Sequence, residues 1–247
     1  MLVRRRILVL YALVVAGVGG ASRLLPEPGS ESLQMARQFV AMLVLFLCFI
    51  FLIYRPSRQT RAALEHASLS LQQGRVAEAL THFEALRRQL PTWSVASLRT
   101  GYTKLLLWRL LEARDDLEYA RRRGGTPEIA GWLALTLSLL GDTDAARPLL
   151  GELSTPKADP RVRPLVEAIL ATRAGDFATA LDRLSGHDVK QLPGTLGALA
   201  RVLEVWAVQR TKGTGGAVDR VAVYGETGGD GLRRAWPELC AFIDGAA

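Results

Sequence analysis

Two uncharged apolar runs occupy the first quarter of the chain, residues 7–22 and residues 39–54 (FVAMLVLFLCFIFLIY). Neither carries the polar stripe that a helix on the surface of a soluble core would need, so both are expected to span a membrane. Each run is 16 residues long. Flanking residues such as Leu24, Leu25, Ala36 and the snorkelling Arg37 extend them towards the ~20 residues that cross a ~30 Å hydrocarbon layer. The expected helices are about residues 7–25 and 36–54, with the turn-forming PEPGSES between them. Arg4, Arg5 and Arg6, followed by a short apolar stretch and Gly19, Gly20 and Ala21, also fit a cleavable signal peptide. The uncleaved helix is the preferred reading.

Beyond Arg55-Pro56 the pattern breaks into short amphipathic stretches separated by small or turn residues, and these repeat. Gly74, Trp108, Gly141 and Gly175 each precede a helix-like run, at spacings of 34, 33 and 34 residues. Five residues after each marker stands an alanine: Ala79, Ala113, Ala146 and Ala180. Seven residues before each stands another small residue, Ala67, Gly101, Ala134 and Ala168, and nine after stands Phe83, Leu117, Leu150 or Leu184. Small residues in pairs permit two helix axes to approach to about 8 Å, which bulky side chains would forbid. The pattern therefore predicts four antiparallel helical hairpins. Pro148, inside one predicted helix, is expected to loosen its first turn.

The segments QQGRVAEALTHF and RAGDFATALDRL, with Pro91 at the end of the first unit, resemble the tetratricopeptide repeat. The resemblance covers about residues 58–190. The bulky aromatic of that family's first helix is replaced by Ala63, Ser97, Ala130 and Pro164. Together with the two apolar runs, the resemblance implies an all-α chain: two N-terminal transmembrane helices, a solenoid of about four hairpins, and C-terminal capping helices. The corresponding domains are 1–56, 57–190 and 191–247. It also implies a concave groove that receives protein partners, lined by the first helix of each unit through Leu64, Leu98, Tyr102, Leu105, Leu106, Leu135, Leu165 and Ile169. Residues 196–210 and 232–243 read as amphipathic helices. The latter, with Leu232, Ala235, Trp236, Leu239, Phe242 and Ile243 on one face, is expected either to cap the stack or to fill part of the groove.

The net charge of +7 invites a nucleic-acid reading, but its distribution argues against one. Residues 1–61 hold eight Arg and two Glu, a balance of +6, which leaves +1 for the remainder. The excess thus flanks the apolar runs, where the positive-inside rule places both termini, and the repeat domain, in the cytoplasm. Membrane lipid is then a partner, and nucleic acid is not expected. Arg121, Arg122 and Arg123 read as a helix end.

No catalytic, cofactor or metal constellation emerges along the sequence, and no small-molecule substrate is indicated. The acid pairs at Asp115/Asp116 and Asp142/Asp144 suit helix starts. The TKGTGG and ETGGDG segments lack phosphate-loop spacing. Cys48 and Cys240 give no disulfide framework. His66, His82 and His187 are read as isolated surface or structural residues. The sequence therefore points away from an enzyme and towards a membrane-anchored scaffold, or an accessory subunit of a membrane enzyme, transport or secretion complex.

Overall fold

The computed structural model describes residues 58–155, 157–185 and 188–245, together with Phe39, Met42, Leu43, Leu45 and Phe46. The expected span at residues 7–25, the signal-peptide alternative and most of the expected span at 36–54 lie outside the described residues. Among the described residues no helix is long and apolar enough to cross a membrane. The chain divides into two compact units, residues 1–61 and 62–247.

The described residues are all-helical, with no strand among them. Four hairpins follow one another. The first pairs α1 (Arg58–Gln72) with α2 (Val76–Gln89), the second α3 (Ser94–Leu106) with α4 (Leu110–Arg123). The third pairs α5 (Pro127–Leu140) with the short α6 (Thr143–Ala146), which runs on as a 3₁₀ helix over Arg147–Ser154. The fourth pairs α7 (Val162–Arg173) with α8 (Phe177–Ser185). Then come a 3₁₀ turn (Asp188–Gln191), α9 (Thr195–Lys212), α10 (Arg220–Tyr224), a 3₁₀ turn (Gly225–Thr227), α11 (Asp230–Ala235) and α12 (Pro237–Asp244).

The four hairpin turns are built alike. Gly74, Trp108, Gly141 and Gly175 all have left-handed backbones, at φ of 78°, 57°, 86° and 79°. In each turn the residue after the marker donates its N–H to the carbonyl five positions back: Arg75 to Ser70, Arg109 to Lys104, Asp142 to Leu137 and Asp176 to Ala171, at 2.9–3.0 Å. The marker itself donates to the carbonyl three back, which completes a Schellman motif. Each second helix then starts with Ala79, Ala113, Ala146 or Ala180 donating to the carbonyl of the residue after the marker. Start chemistry differs between pairs of hairpins. Arg75 and Arg109 form i,i+3 ion pairs with Glu78 and Glu112, whereas Asp142 and Asp176 accept from the N–H groups of Ala145 and Thr179 as N-caps.

The small residues all lie inside. Ala67, Ala79, Ala113, Ala134, Ala146, Ala168 and Ala180 have no exposed surface, and Gly101 is buried with them. At Gly101 the approach is tight: a Cβ there would stand 2.8 Å from Leu117 Cγ and 3.2 Å from the Ala113 carbonyl oxygen. Phe83, Leu117 and Leu184 are buried as well, while Leu150 is only half-buried. Pro148 marks the departure from the pattern. Lacking an N–H and crowding the carbonyl four residues earlier, it ends the α-helical stretch at Ala146 and turns the rest of that arm 3₁₀.

Helix α5 is the centre of the core. Ile129 to Leu139 are buried without interruption, so it has no solvent face, and its ends carry their own signals. Thr126 caps it, Pro127 opens it, and Gly141 closes it. The first hairpin, with Ala96 of α3, forms a small separate cluster of Ala67, Ala79, Phe83, Leu86 and Ala96, whereas the later hairpins share one large core with α9 to α12.

Candidate functional site

The residues expected to line the groove are mostly interior. Leu105, Leu135, Leu165 and Ile169 have no exposed surface, and Leu98, Tyr102 and Leu106 keep only 4–7%. Leu64 alone among them is half-buried, beside the small cluster of the first hairpin. Except for Leu64, these residues belong to the large core cluster that also holds Leu196, Leu199, Leu203 and Trp206 of α9, and α9 itself packs chiefly against α8.

Two contacts fix the path of α9. At its start Thr195 Oγ1 donates to the Leu106 carbonyl, at the end of α3, at 2.9 Å. Eleven residues on, Trp206 lies with its ring 5.4 Å from Phe177, the first residue of α8. At ~1.5 Å per residue that distance is about 17 Å. Thus α9 runs from the second hairpin's turn to the fourth's, past the ends of the first helices.

The segment after α9 returns to the same edge. Trp108 Nε1 donates to the Val223 carbonyl at 2.7 Å, and Thr227 Oγ1 donates to the Leu107 carbonyl at 3.0 Å. Gly231 passes so near the Trp108 carbonyl oxygen that a Cβ would fall 1.7 Å from it, so only glycine fits. Arg173 ties the other end: Nη2 donates to the carbonyls of Leu139 and Ala235, and the guanidinium lies 4.2 Å from the Trp236 ring centroid. Burial lowers the pKa of this arginine. Trp236 and Phe242 close over Trp206 at 6.1 and 5.5 Å. The C-terminal helices therefore dock along the row of turns, with α11 against α4 and α5, which is neither of the two expected positions alone.

Between the first two hairpins the charges form a connected group. Lys104 on α3, only 6% exposed, lies 2.9 Å from Asp116 and 3.2 Å from Glu112 on α4, and 3.7 Å from Glu84 on α2. Arg87 of α2 pairs with Asp116, and Arg109 holds Glu112 through two hydrogen bonds. Hydrogen bonding from Arg109 is the main reason the Glu112 carboxyl is held below its ordinary range. With Arg88 also 3.7 Å from Glu84, four cations face three carboxylates, and the group reads as a joint between hairpins.

A surface cleft of about 540 Å³ opens between the 3₁₀ arm and the fourth hairpin, walled by Leu153, Pro160 and Pro164. Its charges are already paired: Glu167 holds Arg163 at 2.8 Å and Arg183 at 3.2 Å.

The residues that sequence reasoning kept apart are His66 and His82. The first hairpin sets their rings edge to face with centroids 4.8 Å apart, and His82 Nε2 lies 3.7 Å from Glu78 Oε1. One signal could have found them, since His66 and His82 stand eight residues either side of Gly74. No known family, curated protein or solved structure matches this chain.

Proposed function

We propose that the chain is a membrane-tethered scaffold built from repeats of tetratricopeptide type, which holds protein partners at the cytoplasmic face without catalysis. What supports the repeat reading is the fourfold recurrence of one Schellman turn with buried small residues at matching offsets, at spacings of 33 and 34 residues. Support for the membrane tether comes from the arginine-flanked apolar runs, and from the helical residues Phe39, Met42 and Phe46, which stand 60–69% exposed.

Burial of most of the inner stripe favours the accessory-subunit form of this reading, in which a lasting partner sits on outer helix faces instead of a peptide in the groove. Purification of the full chain from membranes in mild detergent tests it. A stoichiometric membrane partner is the expected result, dispersed soluble partners would favour a recruiter, and recovery without any protein partner would overturn both. A sidedness reporter fused after Ala247 is expected on the cytoplasmic side, and a signal from the opposite side would sink the topology.

A further inference from the structure

Each hairpin has a pair of facing positions eight residues before and after its turn marker. In the fourth hairpin they hold Glu167 and Arg183, an ion pair at 3.2 Å. In the third they hold two buried leucines, Leu133 and Leu149. In the second Asp116 takes the later position and reaches Lys104. The first hairpin puts two imidazoles there, His66 on α1 and His82 on α2.

One turn nearer the loop stand Ser70 and Glu78, four residues either side of Gly74. Ser70, 1% exposed, donates through Oγ to Glu78 Oε1 at 3.2 Å, and Arg75 Nη1 donates to Oε2 at 2.7 Å. Glu78 and His82 share a helix face at i,i+4 spacing. The antiparallel register thus collects two imidazoles and one carboxylate, with one ligand atom from each lying within 4.8 Å of the others.

We propose that His66, Glu78 and His82 bind a divalent transition-metal ion, zinc by preference, in a three-ligand site that bridges α1 and α2. Two imidazole nitrogens and one carboxylate oxygen suit zinc and its neighbours in the transition series and are a poor match for calcium or magnesium, which demand oxygen donors. Zinc bonds of about 2.0–2.2 Å put tetrahedral ligand atoms about 3.3 Å apart, so the site closes by an inward shift of about 1.5 Å at its widest separation. Side-chain rotation supplies that shift, because His66 is exposed and His82 half-buried. The same exposure gives the ion its entry path and leaves a fourth position for water. Ser70 and Arg75 act on the carboxylate from behind and fix its direction, as outer partners of metal ligands do. Arg75 also offsets the carboxylate charge, which limits the affinity. The first hairpin has the smaller core cluster, and a metal bridge there would join its two helices where the other hairpins already have ion pairs or leucines.

The test is calorimetric titration of Zn²⁺ into the full chain in detergent, purified without a histidine tag. One ion per chain is expected, together with a raised melting temperature. His66→Gln and His82→Gln, which keep size and polarity, are each expected to weaken binding at least about tenfold and to abolish the thermal shift, with Glu78→Gln weakening it as well. His187→Gln, which removes the remaining histidine of the sequence, is expected to leave binding unchanged. Circular dichroism of each variant establishes that it folds, and Co²⁺ in place of Zn²⁺ reports the donors directly. Binding that survives both His66→Gln and His82→Gln, a thiolate-to-cobalt charge-transfer band, or no saturable binding at all would overturn the proposal.

Discussion

Trp108 and Val223, 115 residues apart, are joined by a 2.7 Å hydrogen bond from the indole Nε1 to the backbone carbonyl. The same tryptophan holds the left-handed turn position that glycine fills in the other three hairpins, and it is the only non-glycine residue with positive φ among the described residues. A side chain in that backbone region is unfavourable by itself. Trp108 is nonetheless 1% exposed, so burial of the indole and its bond to α10 outweigh the local strain.

Trp108→Gly tests that balance. Truncating a buried tryptophan costs about 3–5 kcal/mol, and relief of the left-handed backbone returns about 1 kcal/mol. The expected net loss is roughly 2–4 kcal/mol by denaturant unfolding, with faster proteolysis after Lys212 as α10 loosens. A variant as stable as the parent would show the indole to be dispensable.

The close crossing in the second hairpin gives a second test. Gly101→Ala drives a Cβ to 2.8 Å from Leu117 Cγ, and Ala113→Leu fills the same contact from the other helix. Each is expected to cost about 1–3 kcal/mol through overpacking. Gly151→Ala is the control. Nothing lies within 4 Å of a Cβ there, and the change is expected to stay within about 0.5 kcal/mol. Equal effects at positions 101 and 151 would remove steric crossing as the reason for the small residues.

Arg173 spans the third turn and the C-terminal helices. Arg173→Met keeps much of the stem but strips two carbonyls, of Leu139 and Ala235, of their donor. A loss of about 2–4 kcal/mol is expected, together with faster hydrogen exchange in α11 and α12. Unchanged exchange there would mean that the Trp206, Trp236 and Phe242 contacts hold the segment without the arginine.

Tyr102 makes the fold sensitive to alkali. Burial, the largest influence on it, pushes its phenol from 10.0 up to about 12. The unfolded chain therefore releases this proton first as pH rises, and the stability it contributes is present below pH 10 and is lost between about 10 and 12. The difference corresponds to roughly 2–3 kcal/mol. Tyr102→Phe is expected to be less sensitive over that window, measured as the difference in unfolding free energy between the two proteins. Parallel curves would place the phenol in contact with solvent.

Local chemistry made the hairpins legible in the sequence. A left-handed turn favours glycine and a close helix crossing needs alanine or glycine. These demands act within one hairpin, so they leave marks at regular offsets, and Ala67, Ala79, Ala146 and Ala180 are buried as the offsets imply. Pro148 acted locally too, though more strongly than the loosened first turn expected of it: the α-helix ends at Ala146 and the arm continues as 3₁₀. Even Trp108 was placed in register, though nothing near it in the chain explains why a tryptophan stands there.

The route of α9 and the docking of α10 to α12 were decided only by tertiary structure. An amphipathic helix announces that it has a face to bury, not which surface will cover it, since hydrophobic burial has no direction. Residues such as Leu135 and Ile169 carry the same apolar side chains whether they line an open groove or a closed core, and here they are core. The contacts that select this arrangement, Thr195 with Leu106, Trp108 with Val223 and Arg173 with Ala235, join residues 89, 115 and 62 positions apart and have no periodic trace. His66 and His82 fall between the two cases. Their symmetry about Gly74 was present in the sequence, but only the antiparallel packing of α1 on α2 brings the two rings to 4.8 Å and sets Glu78 beside them.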